Sequence, residues 1–425
     1  MKHLSLPTGI QQWLASVFRD SPLNVQIECA GHPLLSIEGT TQTPSSLLLQ
    51  IHHPGVLRTL LLNRDPLVLS EAYLQGYFDF QGRVEDMILL GRYLGSRVKQ
   101  SQQALTAWLQ ALTLPRLPSK QQIGNWLQQW GNHTLERDRE SIQQHYDVGN
   151  DFYKLWLDPL LVYSCAHFPT PDASLAAAQE HKLDLTCRKL KLQPNDTLLD
   201  IGCGWGALLR WAVKHYGVKG YGITLSQEQV NFNQECIEAE GLGDRLQVEL
   251  RDYRNLPKRP TFDKIVSVGM IEHVGLENYP IYFQSALNAL KPGGLFLNHG
   301  INSSEKWDQS SVGERFINRY IFPNGELARL SATLTAAEEA GWEIVDVDAW
   351  RIHYAKTLRH WANNLAQQAE QASQLIGERK LQIWQLYLLG SAMAFEDNQM
   401  GVNQTLLRKR ADTQWNLPLT REWLV

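Results

Sequence analysis

A chain of 425 residues is long enough for two or three domains and a large buried core. Its 43% hydrophobic and 20% charged content is ordinary for a soluble globular protein. A net charge of −4 gives no reason to expect nucleic acid, and no apolar run approaches the ~20 residues that a bilayer span needs.

The first region, 1–112, mixes short alternating segments at 24–29 and 47–51 with a later helical pattern through Tyr73, Leu74, Met87, Leu90 and Leu94. Leu114-Pro115-Arg116-Leu117-Pro118 reads as a linker, placed at 113–121, because its two prolines suppress helix and central strand alike. Residues 120–146 read as helical, with Ile123, Trp126, Leu127 and Trp130 on one face. Beyond about residue 180, strands alternate with helices. Strands are expected at 197–202, 220–225, 245–251, 262–269 and 293–299. A polar, helical insertion at about 303–340 then precedes a sixth strand at 343–348. The alternation predicts an α/β domain over 122–425, a doubly wound and mostly parallel sheet with ligands at the strand C-termini. Cysteines 29, 165, 187, 203 and 236 form no CxxC pair and are odd in number, which points to reduced thiols, a cytoplasmic setting and no metal site. The N-terminus lacks the long apolar core of a signal peptide.

The most informative stretch is Thr197-Leu198-Leu199-Asp200-Ile201-Gly202-Cys203-Gly204-Trp205-Gly206. An apolar strand runs into three alternating glycines and then a helix. The glycines let the backbone turn sharply and press on a bulky ligand, with free N–H groups aimed at it. A dinucleotide site would favour a further glycine at 207, where Ala stands, although the Ala form is permitted. The next strand ends in Thr224-Leu225-Ser226, with no acid at its tip to take a ribose in the NAD manner. S-adenosylmethionine fits better.

Asp252-Tyr253, at the end of the third strand, pairs an acid with a ring, suited to an adenine amine and its face. It reads equally as a surface loop. Glu272 follows the fourth strand, where a carboxylate enters the cleft or simply starts a helix. His299 ends the fifth strand, and Tyr163-Ser164-Cys165 follows an Asp158-Pro159 turn. A lone histidine or cysteine is more often packing than chemistry.

Together these fragments resemble the cyclopropane-fatty-acyl-phospholipid synthases. The resemblance is carried by His145-Tyr146-Asp147-Val148-Gly149-Asn150-Asp151-Phe152-Tyr153, Tyr163-Ser164-Cys165-Ala166, Asp200 to Gly206, Tyr221 to Ser226, and Ile265 to Gly275. It spans roughly 140–410. The first region is more loosely similar to the family's lipid-associated α+β domain, chiefly at Leu69-Ser70-Glu71-Ala72-Tyr73-Leu74-Gln75-Gly76. The resemblance implies a class I methyltransferase fold and methylene transfer from S-adenosylmethionine to a cis double bond in a phospholipid acyl chain. A bicarbonate would take the proton lost on ring closure. Its cradle would be Cys165, Glu272, His299, Ile301 and Tyr354, with Cys165 and Ile301 acting through backbone groups. Tyr163, Ser164, Asp200, Gly202, Gly204, Gly206, Thr224, Leu225, Gln229, Asp252 and Tyr253 would hold the cosubstrate. Ser391 stands where many members have cysteine, and Asn298-His299-Gly300-Ile301 departs mildly from the commoner His-Thr-Ile.

Competing readings are a methyltransferase that leaves an unclosed methyl branch, an amine methyltransferase, and a lipid-binding protein with a vestigial cosubstrate pocket. Relatives that methylate amines often lack the acid at Glu272. The partner expected is unsaturated phospholipid at the inner face of the membrane, met transiently, and a homodimer is compatible with the reading. Candidate docking residues are Trp13, Leu14, Phe18 and Arg19, or Arg315, Phe316 and Arg319; the first three read equally as packing inside their own domain.

Overall fold

The computed structural model describes residues 6–30, 32–40, 46–63, 67–100, 104–118, 149–304, 312–322 and 325–424. The helix expected at 120–146 and positions 145–148 of the first family motif lie outside them. Two compact units emerge. One holds 1–129, 309–320 and 378–390; the other holds 130–308, 321–377 and 391–425.

The first unit carries a four-stranded sheet of β1 (Asn24–Cys29), β2 (His32–Ile37), β3 (Ser46–Ile51) and β4 (Phe78–Gln81), in the order β2-β1-β3-β4. β1 is parallel to β3, and the other pairings are antiparallel. The opening helix, Thr8–Phe18, buries Ile10, Trp13, Leu14, Val17 and Phe18, a spacing that places all five on one face. That face joins Val25, Ile27, Leu47, Val56, Leu57 and Leu60 in a single apolar core. Trp13, Leu14 and Phe18 are therefore core residues, at 2%, 2% and 4% exposure, and not a docking surface. Packing won because an amphipathic helix this short gains most by burying its apolar stripe.

The second unit is built on seven strands: β5 (Thr197–Ile201), β6 (Lys219–Thr224), β7 (Leu246–Leu250), β8 (Phe262–Val268), β9 (Leu290–Ser303), β10 (Trp342–Ala349) and β11 (Met400–Lys409). Their order is β10-β11-β9-β8-β5-β6-β7. β5 to β9 are parallel, while β11 is antiparallel to both of its neighbours. The six expected strands are present. β9 begins earlier and runs further than expected, and β11 was not expected at all. β11 is central, lying between β9 and β10, and its residues from Val402 to Arg408 are all buried. Asn403, Gln404, Thr405 and Arg408 hide it from a hydropathy reading. Successive residues of β5 feed opposite cores, Leu198 into one face and Leu199 into the other. Helices on both faces therefore require an unbroken apolar run. The chain leaves β5 towards β6 on one side and returns to β8 on the other. This switch opens a crevice beyond the carboxyl end of β5.

Candidate functional site

Between Ile201 and the helix Ala207–Tyr216, Gly202, Gly204 and Gly206 all take positive φ, +82°, +54° and +74°. Gly206 opens that helix; a side chain there would run into Oδ1 of Asn233. Gly204 is fixed through its carbonyl, which accepts from Asn233 Nδ2 at 2.9 Å, while a Cβ on it would meet nothing within 4 Å. The turn borders a solvent-open cleft.

Tyr163, Ser164, Asp200, Gly202 and Gly204 line that cleft, with Thr224, Leu225 and Gln229 from β6 and its helix, and Asp252 and Tyr253 after β7. Gly206 does not line it and acts from the helix start. Thr224 Oγ1 donates to Gln229 Oε1 at 2.6 Å, and Ser226 caps the helix Gln227–Ala239 through the Gln229 N–H. Asp252 is already engaged: its Oδ1 accepts from the Arg254 N–H at 2.8 Å and from Arg254 Nε at 2.9 Å. The Arg254 guanidinium lies 5.1 Å from the centre of the Tyr253 ring.

Asp200 is buried, and its Oδ1 has no partner among the described residues. Desolvation pushes its pKa up to about 7, against the pull of Lys182. Lys182 also lines the cleft, 2% exposed, with Nζ donating to Ser164 Oγ at 2.9 Å. Burial lowers its pKa to about 8, offset in part by Cys165, Asp158 and Asp200. A buried acid with an open acceptor suits a cationic ligand with an amino group, so the cleft fits a sulfonium amino acid cosubstrate.

The second set of residues gathers around β9. Glu272 lies in the short turn Ile271–His273 after β8. Its Oε1 accepts from the Ile301 N–H at 2.6 Å, and its Oε2 has no partner among the described residues. Burial raises its pKa to about 7. His299 stands two residues before Ile301 on the same strand face and is 2% exposed. Its ring meets Trp350 edge-on at 5.2 Å. Cys165 Sγ lies 3.9 Å from the Trp350 carbonyl, which also accepts from the Tyr354 N–H at 3.0 Å. Trp350 thus joins three of the five. Burial drives the Cys165 thiol far above its ordinary range, so it is no thiolate nucleophile. The two sets adjoin through Lys182 and through rings: Tyr163 is 5.3 Å from Trp361, which is 6.0 Å from Tyr354.

Sequence reasoning passed over Lys182 and Arg254. Neither sits in a glycine turn or at a strand tip, and a lysine inside a helix reads as surface. The one available signal was the lysine's place among apolar positions of the helix Leu175–Lys189, which buries Leu183, Leu185 and Cys187.

Residues 133–405 match the family model described as mycolic acid cyclopropane synthetase. A "Probable fatty acid methyltransferase" of Pseudomonas putida is 48% identical over 295 residues, covering 68% of this chain and 75% of that protein. Another so described, from Mycobacterium tuberculosis, is 37% identical over 410 residues, or 92% of this chain and 95% of the relative. A solved cyclopropane synthase from Mycobacterium tuberculosis superposes with a TM-score of 0.61 at 34% identity, over 64% of this chain and 98% of that one. A mycolic acid cyclopropane synthase complexed with SAH and CTAB gives the same TM-score at 35% identity, again over 64% and 98%.

Proposed function

This chain belongs to the mycolic acid cyclopropane synthetase family, and from that premise we propose that it cyclopropanates the cis double bond of unsaturated phospholipid acyl chains. It is an S-adenosylmethionine-dependent methyltransferase with the class I fold. When bound, the cosubstrate supplies an electrophilic methyl group. The observation that carries the finer reading is Glu272, a buried carboxylate with one oxygen open and the other held by the N–H of Ile301, on the strand that also carries the buried His299 two residues earlier.

In this reading Asp200 and Lys182 set the charge of the cosubstrate cleft. Tyr163 gives the cleft an aromatic face that tolerates positive charge, and the buried rings of Trp361 and Tyr354 pack behind it. Glu272 Oε2 accepts a proton, or orients a small anion that does. A bicarbonate fits this place in part. His299 and Tyr354 are donors, and the positive charge of Lys182 acts nearby. The Ile301 N–H is already committed to Glu272 and would serve the anion only through it. Contact with the membrane is part of the same proposal, since the acyl double bond lies within a ~30 Å core. None of the described helices is long and apolar enough to cross a membrane.

A second reading, methylation without ring closure, is favoured by the names of the two fatty acid methyltransferases. Purified protein incubated with unsaturated phospholipid vesicles and labelled S-adenosylmethionine separates the two. A product that gains one methylene and resists mild hydrogenation is the cyclopropane. A product of that mass that takes up hydrogen is the unclosed branch, and would replace the first reading.

A further inference from the structure

No sequence motif singles out Lys189 or Gln404, yet both stand buried behind His299. Gln404 faces His299 directly across the β11–β9 pairing. Its Nε2 is 3.3 Å from His299 Nδ1 and 3.3 Å from Thr186 Oγ1. Its Oε1 accepts from Lys189 Nζ at 2.8 Å. Lys189 also donates to Asp348 Oδ2 at 2.6 Å, an oxygen that takes a second bond from Trp350 Nε1 at 2.7 Å.

Counting donors fixes the direction of every bond. An ammonium offers three protons and no lone pair, so Gln404 must turn its oxygen towards Lys189. Both amide protons then point the other way. The Thr186 hydroxyl gives its own proton to the Lys182 carbonyl at 2.8 Å, which leaves its oxygen as an acceptor. His299 Nδ1 must accept the remaining amide proton. A ring nitrogen that accepts carries no proton, so a neutral imidazole holds its proton on Nε2.

The surroundings favour the neutral ring. Burial comes first among the causes that hold its pKa well below the ordinary histidine range, followed by the charges of Lys182 and Lys189, with Asp348 opposing. Lys189 itself has its pKa lowered by burial, and Asp348 supports its charged form.

We infer that Lys189 and Gln404 are positioning residues that lock His299 as the Nε2–H tautomer. The ring is then a hydrogen-bond donor on the side away from Gln404 and has no bare nitrogen there to take a proton. Given the proposed function, the proton lost on ring closure must go to Glu272 or to an anion beside it.

The test reads the ring directly. The full-length protein is labelled with ¹⁵N-histidine, and His299 is assigned by difference from His299→Gln. Two-bond proton–nitrogen correlations then report the tautomer. The expected wild-type spectrum shows a bare Nδ1 and a protonated Nε2, unchanged from about pH 6 to 9. Gln404→Glu puts acceptors towards both Lys189 and the ring, so Nδ1 should become protonated. Turnover should fall by ~10²-fold or more, while the affinity for S-adenosylmethionine and the melting midpoint stay near wild type. A protonated Nδ1 in the wild type overturns the inference, as does a Gln404→Glu protein with bare Nδ1 and full turnover. The spectrum is independent of the lipid. If the acyl substrate proves wrong while Nδ1 is bare, the proposed function fails and the lock stands.

Discussion

The Ile301 N–H donates to one oxygen of Glu272 at 2.6 Å and leaves the other without a partner among the described residues. One oxygen ties the turn after β8 to β9, and in the proposed function the other is the one that serves the chemistry. Glu272→Gln can keep the first duty, because its amide oxygen still accepts from Ile301, while the second oxygen becomes a donor. We expect cosubstrate affinity by calorimetry to be nearly unchanged and product formation to fall ~10²-fold or more. Wild-type turnover in this variant would remove Glu272 from the reaction.

The same residue sets a pH dependence. Its folded pKa, raised by burial to about 7, lies above the ordinary 4.5 of the unfolded chain. The folded state thus binds the proton more tightly. This contribution is full below about pH 4.5 and is lost as pH rises through about 7, at most ~3 kcal/mol. Asp200 acts in the same direction. Denaturant melts without cosubstrate should show stability declining between about pH 5 and 8, with a shallower decline in Glu272→Gln. Equal slopes in the two proteins would mean that Glu272 is ionised at low pH in the folded state.

Gly204 and Gly206 should separate binding from folding. At Gly206 an alanine runs into Asn233 and must hold a left-handed φ, so Gly206→Ala should cost ~1–3 kcal/mol in a melt. At Gly204 there is room for a side chain, and it lies in the cleft. Gly204→Val should fold, at a cost of ~1–2 kcal/mol for its φ of +54°, yet lose S-adenosylmethionine binding. Unaltered affinity would mean that the cosubstrate does not press on this turn.

Trp13→Ala should behave as a core deletion. With the indole 2% exposed, the expected loss is ~3–5 kcal/mol, seen as an earlier melt of the first unit. Binding to lipid vesicles by the protein that remains folded should not change. A selective loss of vesicle binding at full stability would restore this helix as a docking element.

Much of the site was legible because glycine turns and strand-end acids are local signals. Gly202, Gly204, Thr224 and Asp252 each sit where a parallel strand delivers its last residue, so chain order alone places them near one another. Position alone raised Glu272, His299 and Cys165 as candidates; the resemblance added Ile301 and Tyr354 and grouped the five, which no local pattern would have done. Trp350 gathers His299, Cys165 and Tyr354 through its ring and carbonyl, a relation that exists only in three dimensions. β11 was missed because its polar residues bond inward: Gln404 to His299 and Lys189, and Arg408 to the Gln414 carbonyl. Trp13 was open between docking and packing, and its burial decides for packing. An aromatic stripe near a chain start has the same spacing whether it meets lipid or its own core.

The first unit is assembled from three separated stretches, 1–129, 309–320 and 378–390. The pairing of Glu71 with Arg319 spans 248 positions of sequence. During synthesis, the N-terminal stretch therefore leaves the ribosome long before its last partners exist. At ~5–20 residues per second it waits for at least ten seconds or so. Until residue 390 has emerged, its surface for the helix Val312–Tyr320 and the start of the helix Glu378–Glu396 is uncovered, a period in which chaperones and proteases have access. A gene fragment ending before residue 378, or one starting after residue 129, would cut this unit apart, so the chain cannot be divided at a single point without leaving half-built surface on both pieces.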